Sequence, residues 1–328
     1  MKQKTLLDEE NRLELLSQLG DPLEILNRVI KWEKFRSVLN QGSRKEDTGK
    51  GGRPSYDVVM MFKILVLQRL YNLSDDQTEY QINDRMSFMR FLGINLCEKV
   101  PDAKTIWKFK NDLAETETVD KLFCMFDEHL ENKGLISHKG TIVDAPRQKN
   151  SRDENKKIKN GVIPEEWEKP ENKSKLAQKD IDADWTKKNG ERHFGYKDHV
   201  KCDADSKLIT NYSVTSASVH DSQRCLVFIG QEDEVLYADS AYSGKPIALA
   251  LPENCKNQIC EKGYRNSPLT SEQKMNNRRK SRIRCRIEQI FGFMTGAMHG
   301  ITIRSIGITR AWMNIGITNL VYNFCRYS

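Results

Sequence analysis

The chain contains no run of about 18 apolar residues, so a membrane-spanning helix is not expected. An apolar signal core is missing as well. Met1-Lys2-Gln3-Lys4-Thr5 leads instead into Asp8, Glu9 and Glu10, and secretion is not expected. Cysteine is scarce: 8 residues in 328 are too few for a disulfide scaffold, and a reducing, cytoplasmic compartment follows. No internal repeat is present. A more local absence is informative. Between Lys274 and Arg286 there is no acidic side chain, while Lys274, Arg278, Arg279, Lys280, Arg282, Arg284 and Arg286 all lie there. Such a stripe is the usual footprint of phosphate contact, with a solvated helix face as the ordinary alternative.

What is present fits a globular protein. Hydrophobic residues make up 38% and charged residues 30%, and 53 Lys+Arg against 46 Asp+Glu leave a net charge of +7, a modest pointer to a polyanionic partner. At roughly 100–200 residues per domain the length suggests two domains. Residues 1–138 read as an all-α domain. Tyr56–Leu70 carries Val58, Met61, Phe62, Leu65, Val66 and Leu70 at helical spacing, Ser74 is placed to cap the next helix, and Pro101-Asp102-Ala103-Lys104-Thr105 opens another. Lys63, Arg69, Arg85, Arg90, Lys104, Lys108 and Lys110 are expected to point away from the apolar faces, as DNA contacts or as plain surface.

Residues 139–328 change character. Gly140–Asp144 is a short β-branched strand ending in a carboxylate. A polar insertion at about 147–191 reads as loop rather than core. Strands are expected at Phe194–Asp203, Leu208–Val214, Val235–Ala238 and Gln258–Cys260, a helix over Asp221–Gly230, and a long helix over about Arg279–Met298. Three strands in a meander, then helix, strand, helix, strand, helix, is the succession of a ribonuclease H-like α/β fold, a mixed sheet with flanking helices.

Three carboxylates stand out by placement. Asp144 and Asp239 each end a hydrophobic strand, where open sheets present their ligand crevice. Glu288 sits beside the apolar stripe Ile283, Ile287, Ile290, Phe291, Met294 and Met298, with Arg284 four residues before it on the same side. Taken singly, each has an ordinary reading: a cap or turn for the aspartates, an ion pair with Arg284 for the glutamate. Taken together, two strand-end carboxylates and a helical glutamate can converge on hard divalent cations, Mg²⁺ (or Mn²⁺). Two such ions about 4 Å apart suit phosphodiester chemistry.

The chain resembles the DDE transposases of bacterial insertion sequences, closest to the insertion-sequence-five family. The matching pieces are Gly140–Ala145, His193–His199, Thr215–Asp221, Ala238–Tyr242 and Arg284–Gly292, with Gly52–Tyr56 and Pro101–Ile106 in the amino-terminal half. The resemblance implies that Asp144, Asp239 and Glu288 form a catalytic, metal-binding triad holding two ions. It implies a phosphate contact through Arg284; Lys197, in a matching stretch, and the stripe residues Arg278, Arg279, Lys280 and Arg282, by their charge, are expected DNA contacts as well. It further implies terminal inverted repeats and target DNA as partners, homo-oligomerisation on DNA, a nucleoid-associated cytoplasmic location, and hydrolysis followed by strand transfer. A nuclease that only hydrolyses and a non-catalytic DNA-binding regulator are the alternatives. Two positions depart from the family pattern: Ser281 stands where a tyrosine is usual, and Thr295 where a lysine is usual.

His193, His199 and His220 match no zinc spacing and are read as structural or substrate-contacting. Cys255 and Cys260, a lone C-x4-C pair, read as ordinary thiols. Trp167 and Trp185 in the insertion read either as platforms for unpaired bases or as docking residues.

Overall fold

The computed structural model describes residues 8–43, 55–150, 163, 165–188, 190–300 and 302–328. Gly52, Arg53 and Pro54 of the amino-terminal motif lie outside them, as does part of the polar insertion. The chain divides into two compact units, Met1–Leu122 with Phe324–Ser328, and Phe123–Asn323.

The first unit is helical: α1 (Asp8–Gln18), α2 (Pro22–Val29), α3 (Arg36–Gly42), α4 (Val58–Leu70), α5 (Asp75–Asp84), α6 (Met86–Leu92) and α7 (Ala103–Glu115), with α8 (Thr118–Asn132) following. Side-chain caps set the helix starts. Asp57 accepts from the amides of Val59 and Met60, Ser74 and Gln77 form a reciprocal capping box, and Asp102 accepts from Thr105. Gly93, at φ 74°, ends α6 in the left-handed conformation that favours glycine. Every residue of α4 from Val58 to Arg69 except Met60 and Lys63 is buried, so it is a central helix rather than the one-sided helix its spacing suggested. Around it Trp32, Phe35, Phe62, Phe91 and Phe324 pack at centroid separations of 5.4–6.3 Å.

Several basic residues expected at the surface are instead part of this fold. Lys63 donates to Asn27 at 2.8 Å and to the Phe91 carbonyl at 3.1 Å, and Arg69 is buried. Arg85 stacks on Tyr71 and Phe88, Arg90 reaches Leu13, Ser17 and Asp21, and Lys110 pairs with Asp75. Long basic side chains lay their methylenes along apolar surface and seek anionic caps, so charge alone misreports their direction. Lys104 and Lys108 on α7 are exposed.

The second unit is built on a mixed sheet. Its elements are β1 (Thr141–Asp144), β2 (Arg147–Asn150), α9 (Glu165–Glu168), α10 (Lys173–Leu176), β3 (Asp184–Lys188), β4 (Glu191–Asp203), β5 (Ile209–Ser216), α11 (Ser222–Cys225), β6 (Val235–Tyr237), α12 (Lys245–Ala250), β7 (Lys256–Asn257), α13 (Ser271–Arg284), α14 (Arg286–Thr295), β8 (Thr302–Ile303) and α15 (Ile308–Tyr327). The order β5-β4-β1-β6-β7, with β4 antiparallel to β5 and β1 and with β6 and β7 parallel to β1, is that of the ribonuclease H-like fold. The crossovers α11 and α12 join the parallel strands. Amides of Gln258 and Cys260 bond the carbonyls of Leu236 and Ala238, so sheet pairing runs on through the expected Gln258–Cys260 segment.

Two expectations fail in this unit. The insertion is not all loop: β2 pairs β4 along the edge that β1 uses, and β3 pairs β4 beyond β5. The 13-residue β4 supplies the backbone partners, which lets polar strands form without an alternating apolar pattern. The long helix starts earlier and is broken. α13 begins at a Thr270–Gln273 capping box, and Cys285 separates it from α14. α13 buries no residue, whereas Ile287, Ile290 and Met294 of α14 are buried, so only the second helix is anchored to a core.

Candidate active site

β1 and β6 run side by side and parallel, with Thr141 opposite Leu236 and Ile142 opposite Tyr237. The pairing ends there: Asp144 closes β1 two residues past Ile142, and Asp239 follows two residues past Tyr237 as the cap of a short turn. Adjacent strands lie about 4.8 Å apart, so both carboxylates stand at one end of the sheet and on one side of it. Each is steadied by a local amide: Ala145 N–H donates to Asp144 at 2.8 Å, and Ala241 N–H donates to Asp239 at 2.8 Å. The ordinary reading of these aspartates as turn residues is therefore satisfied by one oxygen of each. Asp144 Oδ2 points elsewhere, to Arg284 Nη1 at 3.4 Å.

Arg284 joins the strands to the helices. Its Nη2 lies 3.0 Å from Glu288 Oε1, one turn along, while its Nη1 faces Asp144, 140 positions earlier in the chain. A single guanidinium thus stands between the strand-end aspartate and the helical glutamate. The Glu288 side chain is 59% exposed and the Asp144 side chain 24%, so both remain open to solvent. Among the described residues no three His, Cys, Asp or Glu side chains are drawn together closely enough to hold an ion as they stand. The donor set is nonetheless all-oxygen and anionic, and the place between Asp144 and Glu288 already holds a positive charge. These residues fit a hard divalent cation.

Beside this cluster lies a second charged group. Lys197 on β4 is 5% exposed, and its ammonium donates to the Val219 carbonyl at 2.6 Å and pairs with Asp221 at 2.8 Å. Lys197 is thus turned inward onto Asp221. His199, two residues along the same strand, lies 2.8 Å from the Thr215 hydroxyl, and burial pushes its imidazole down to about 4. His220 contacts Ser222, and Cys255 and Cys260 are buried free thiols. On the opposite face of β4, Asp198 is fully buried against Asn319 of α15, whose amide donates to it at 3.1 Å, and burial pushes its carboxyl up to about 7.

The basic stripe divides in two. Lys280 donates to the Ile259 carbonyl at 2.9 Å, and Arg286 bonds Ala204 and Asp205, so these two brace the fold. Lys274, Arg278 and Arg282 follow one another at four-residue intervals along an exposed face of α13, with exposed Arg279 next to them. Among the described residues none of these four is in an ion pair. Thr295, the last residue of α14, is exposed and turns its hydroxyl back to the Phe291 carbonyl at 2.8 Å. Ser281 Oγ lies 3.8 Å from the Cys260 sulfur. Trp185 packs on Phe194 of β4 at 5.3 Å and so docks its part of the insertion, while Trp167 lies under the Lys179 ammonium within the insertion; both are half-buried.

Two residues escaped notice as individuals. Asp221 and Tyr242 both fall within stretches that match the family, yet only the fold shows Asp221 gripping Lys197 and Tyr242 buried behind the aspartates.

Residues 10–112 match the family described as "Transposase domain (DUF772)", and residues 137–324 match "Transposase DDE domain". A solved structure titled "Cryo-EM structure of piggyBac transposase synaptic complex with hairpin DNA (SNHP)" is similar at 12% identity and a TM-score of 0.43, over 93% of this chain and 72% of that one. No helix among the described residues is long and apolar enough to cross a membrane. With a DDE domain matched over more than half its length, behind a helical transposase domain in the insertion-sequence-five order, the chain belongs to the DDE transposase family.

Proposed function

We propose that this protein binds the terminal repeats of its own insertion sequence and hydrolyses a phosphodiester there, and that the freed 3′-hydroxyl then attacks a target phosphodiester, joining the element end to the target strand and displacing the target's own 3′-oxygen. The observation that carries the reading is the parallel pairing of β1 and β6, each followed at the same end by an aspartate, Asp144 and Asp239, with Glu288 tied to Asp144 through one arginine. Asp144, Asp239 and Glu288 would hold Mg²⁺ (or Mn²⁺), two ions in all. Divalent cations bound there would activate the nucleophile and neutralise charge on the leaving oxygen.

The remaining work falls to the protein's own side chains. The amides of Ala145 and Ala241 hold one oxygen of each aspartate, so the strand ends present a fixed pair of acceptors. Arg284 balances the charges of Asp144 and Glu288, and with a divalent cation held there its planar donors would be available to a phosphate oxygen. Arg278, Arg279 and Arg282 extend the positive track along α13, which favours DNA lying across the carboxylates. Lys280 is tied to Ile259 and adds charge rather than a free hand, and Lys197 acts from within by fixing Asp221. The helical domain, residues 1–138, is proposed to grip the element end, with exposed Lys104 and Lys108 of α7 as contacts. Holding two ends at once calls for more than one copy on DNA, in a nucleoid-associated cytoplasmic protein.

The test is to incubate the purified protein and Mg²⁺ with duplexes carrying the element's own ends and a plasmid target. Covalently joined donor–target DNA is the expected product. Cleavage without joining would instead indicate a nuclease, and DNA binding without cleavage a regulator. Asp144→Asn, Asp239→Asn and Glu288→Gln should each abolish cleavage while leaving binding of the ends largely intact. Near-normal cleavage in any one of them would remove that residue from the triad.

A further inference from the structure

Tyr242 is one of the largest fully buried side chains in the protein, at 0% exposure. It ends the short turn Ser240–Tyr242 that Asp239 itself caps, and its amide bonds the Asp239 carbonyl at 3.2 Å. Its ring packs with Val143, Leu236, Ala238, Cys225, Phe228 and Ile247. Val143 and Ala238 are the residues directly before Asp144 and Asp239. An apolar ring in that place explains itself, but a hydroxyl does not. The Tyr242 hydroxyl is buried without a hydrogen-bond partner, which a phenol in a core avoids because the unmade bond costs stability.

The charges bearing on that hydroxyl identify its surroundings. Burial, and then the negative charges of Asp144, Asp221 and Asp239, hold it well above the usual phenol range. The hydroxyl thus lacks an acceptor on a residue that follows Asp239 by one short turn and packs with Val143, the neighbour of Asp144. Asp221 is committed to Lys197, whereas Asp144 and Asp239 are the two carboxylates proposed above to hold the divalent cation.

We propose that Tyr242 is a positioning residue of this centre: its hydroxyl donates to a strand-end aspartate when the cation is held, fixing the carboxylate's orientation from behind. The inference rests on the functional reading above. Hydrogen bonds to ligating carboxylates of this kind govern metal affinity as well as rate, and their loss costs on the order of 10–100-fold in binding.

The experiment is a Mn²⁺ titration of the full chain, without DNA, followed by calorimetry and by thermal melting. Wild type, Tyr242→Phe and Tyr196→Phe are compared. Tyr242→Phe keeps the ring and removes only the oxygen, so its melting temperature in EDTA should equal or exceed the wild-type value. Its Mn²⁺ affinity should fall on the order of 10-fold or more. Tyr196→Phe removes a buried hydroxyl that does have a partner, Asp180 at 2.7 Å, and should lower the melting temperature while leaving Mn²⁺ affinity unchanged. Equal Mn²⁺ affinity in wild type and Tyr242→Phe would overturn the inference and leave the functional reading standing. No Mn²⁺ binding by wild type at all would overturn the functional reading, and this inference with it.

Discussion

Replacing Arg284 with alanine separates its two duties, because the lost charge can be returned by a metal but not by a neutral side chain. Without divalent ions the variant leaves Asp144 and Glu288 without the guanidinium that stands between them. The Glu288 contact is an exposed pair one helical turn apart, in the less favourable Arg-before-Glu order, and contributes about 0.3 kcal/mol. The Asp144 contact, between side chains 19% and 24% exposed, contributes about 1 kcal/mol. Their sum is a little over 1 kcal/mol. The unit Phe123–Asn323 spans 201 residues (323 − 123 + 1), for which 1 kcal/mol shifts the melting temperature by about 2–4 °C. Differential scanning fluorimetry in EDTA should therefore show a deficit of about 3–5 °C. Adding Mn²⁺ to 100 times the wild-type Kd stabilises the native state by about 2.7 kcal/mol, and the same concentration stabilises the variant by more, because no guanidinium competes there for the carboxylates. The deficit should shrink or vanish in Mn²⁺, while binding to element-end DNA stays weak because the phosphate donor is gone. A deficit of the same size with and without Mn²⁺ would refute the reasoning, since Arg284 would then be an ordinary brace remote from any metal.

Other expectations follow from the same geometry. Arg278→Ala with Arg279→Ala should reduce the salt dependence of DNA binding by about 0.9 log units per lost phosphate contact, measured by fluorescence anisotropy across a salt series, and an unchanged slope would make them a solvated face. Thr295→Lys should tighten binding and raise cleavage with no change in metal requirement: the site is exposed, on the side of α14 that bears Glu288, and about 10 Å along the axis. Unchanged or lower values would mean that another basic residue already serves there. The folded-state carboxyl of Asp198, raised to about 7, stands above the unfolded value of about 3.9, so the protein gives up stability as pH rises through that window. Asp198→Asn should remove that loss, melting at the wild-type temperature near pH 4 and several degrees higher near pH 8. Parallel melting curves at both pH values would show that Asp198 does not titrate there.

The strand-end aspartates were legible because a β-branched or apolar run that stops at a carboxylate signals both the strand and its exit from the core. Glu288 was legible through the stripe beside it, of which Ile287, Ile290, Met294 and Met298 are indeed buried. The break at Cys285 was not. Arg284-Cys285-Arg286 holds no glycine or proline, the apolar spacing runs across it, and only packing of α14 in the core marks the change. Polar β2 and β3 were invisible for a different reason: their stability comes from the backbone of β4 rather than from their own side chains. Arg284 showed itself as a neighbour of Glu288 from spacing alone, but its reach to Asp144 spans 140 positions and belongs to the fold. Lys197 registered as a cation suited to DNA, and nothing local announced that Asp221 would claim it.

The parallel register of β1 and β6 also governs which changes of length the chain can survive. Asp144 and Asp239 are separated by 95 positions (239 − 144), yet what brings them together is the pairing of Thr141 with Leu236 and Ile142 with Tyr237. Residues can be added to or removed from the loops between the intervening strands without altering that pairing. A single residue gained or lost within Val235–Tyr237 is another matter, because side chains alternate across a sheet and Asp239 would be turned to the opposite face. Length can therefore change in loops outside the paired strands, while these few strand positions stay fixed in number. Spacing counted along the chain is the variable quantity, and spacing counted across the sheet is the constant one.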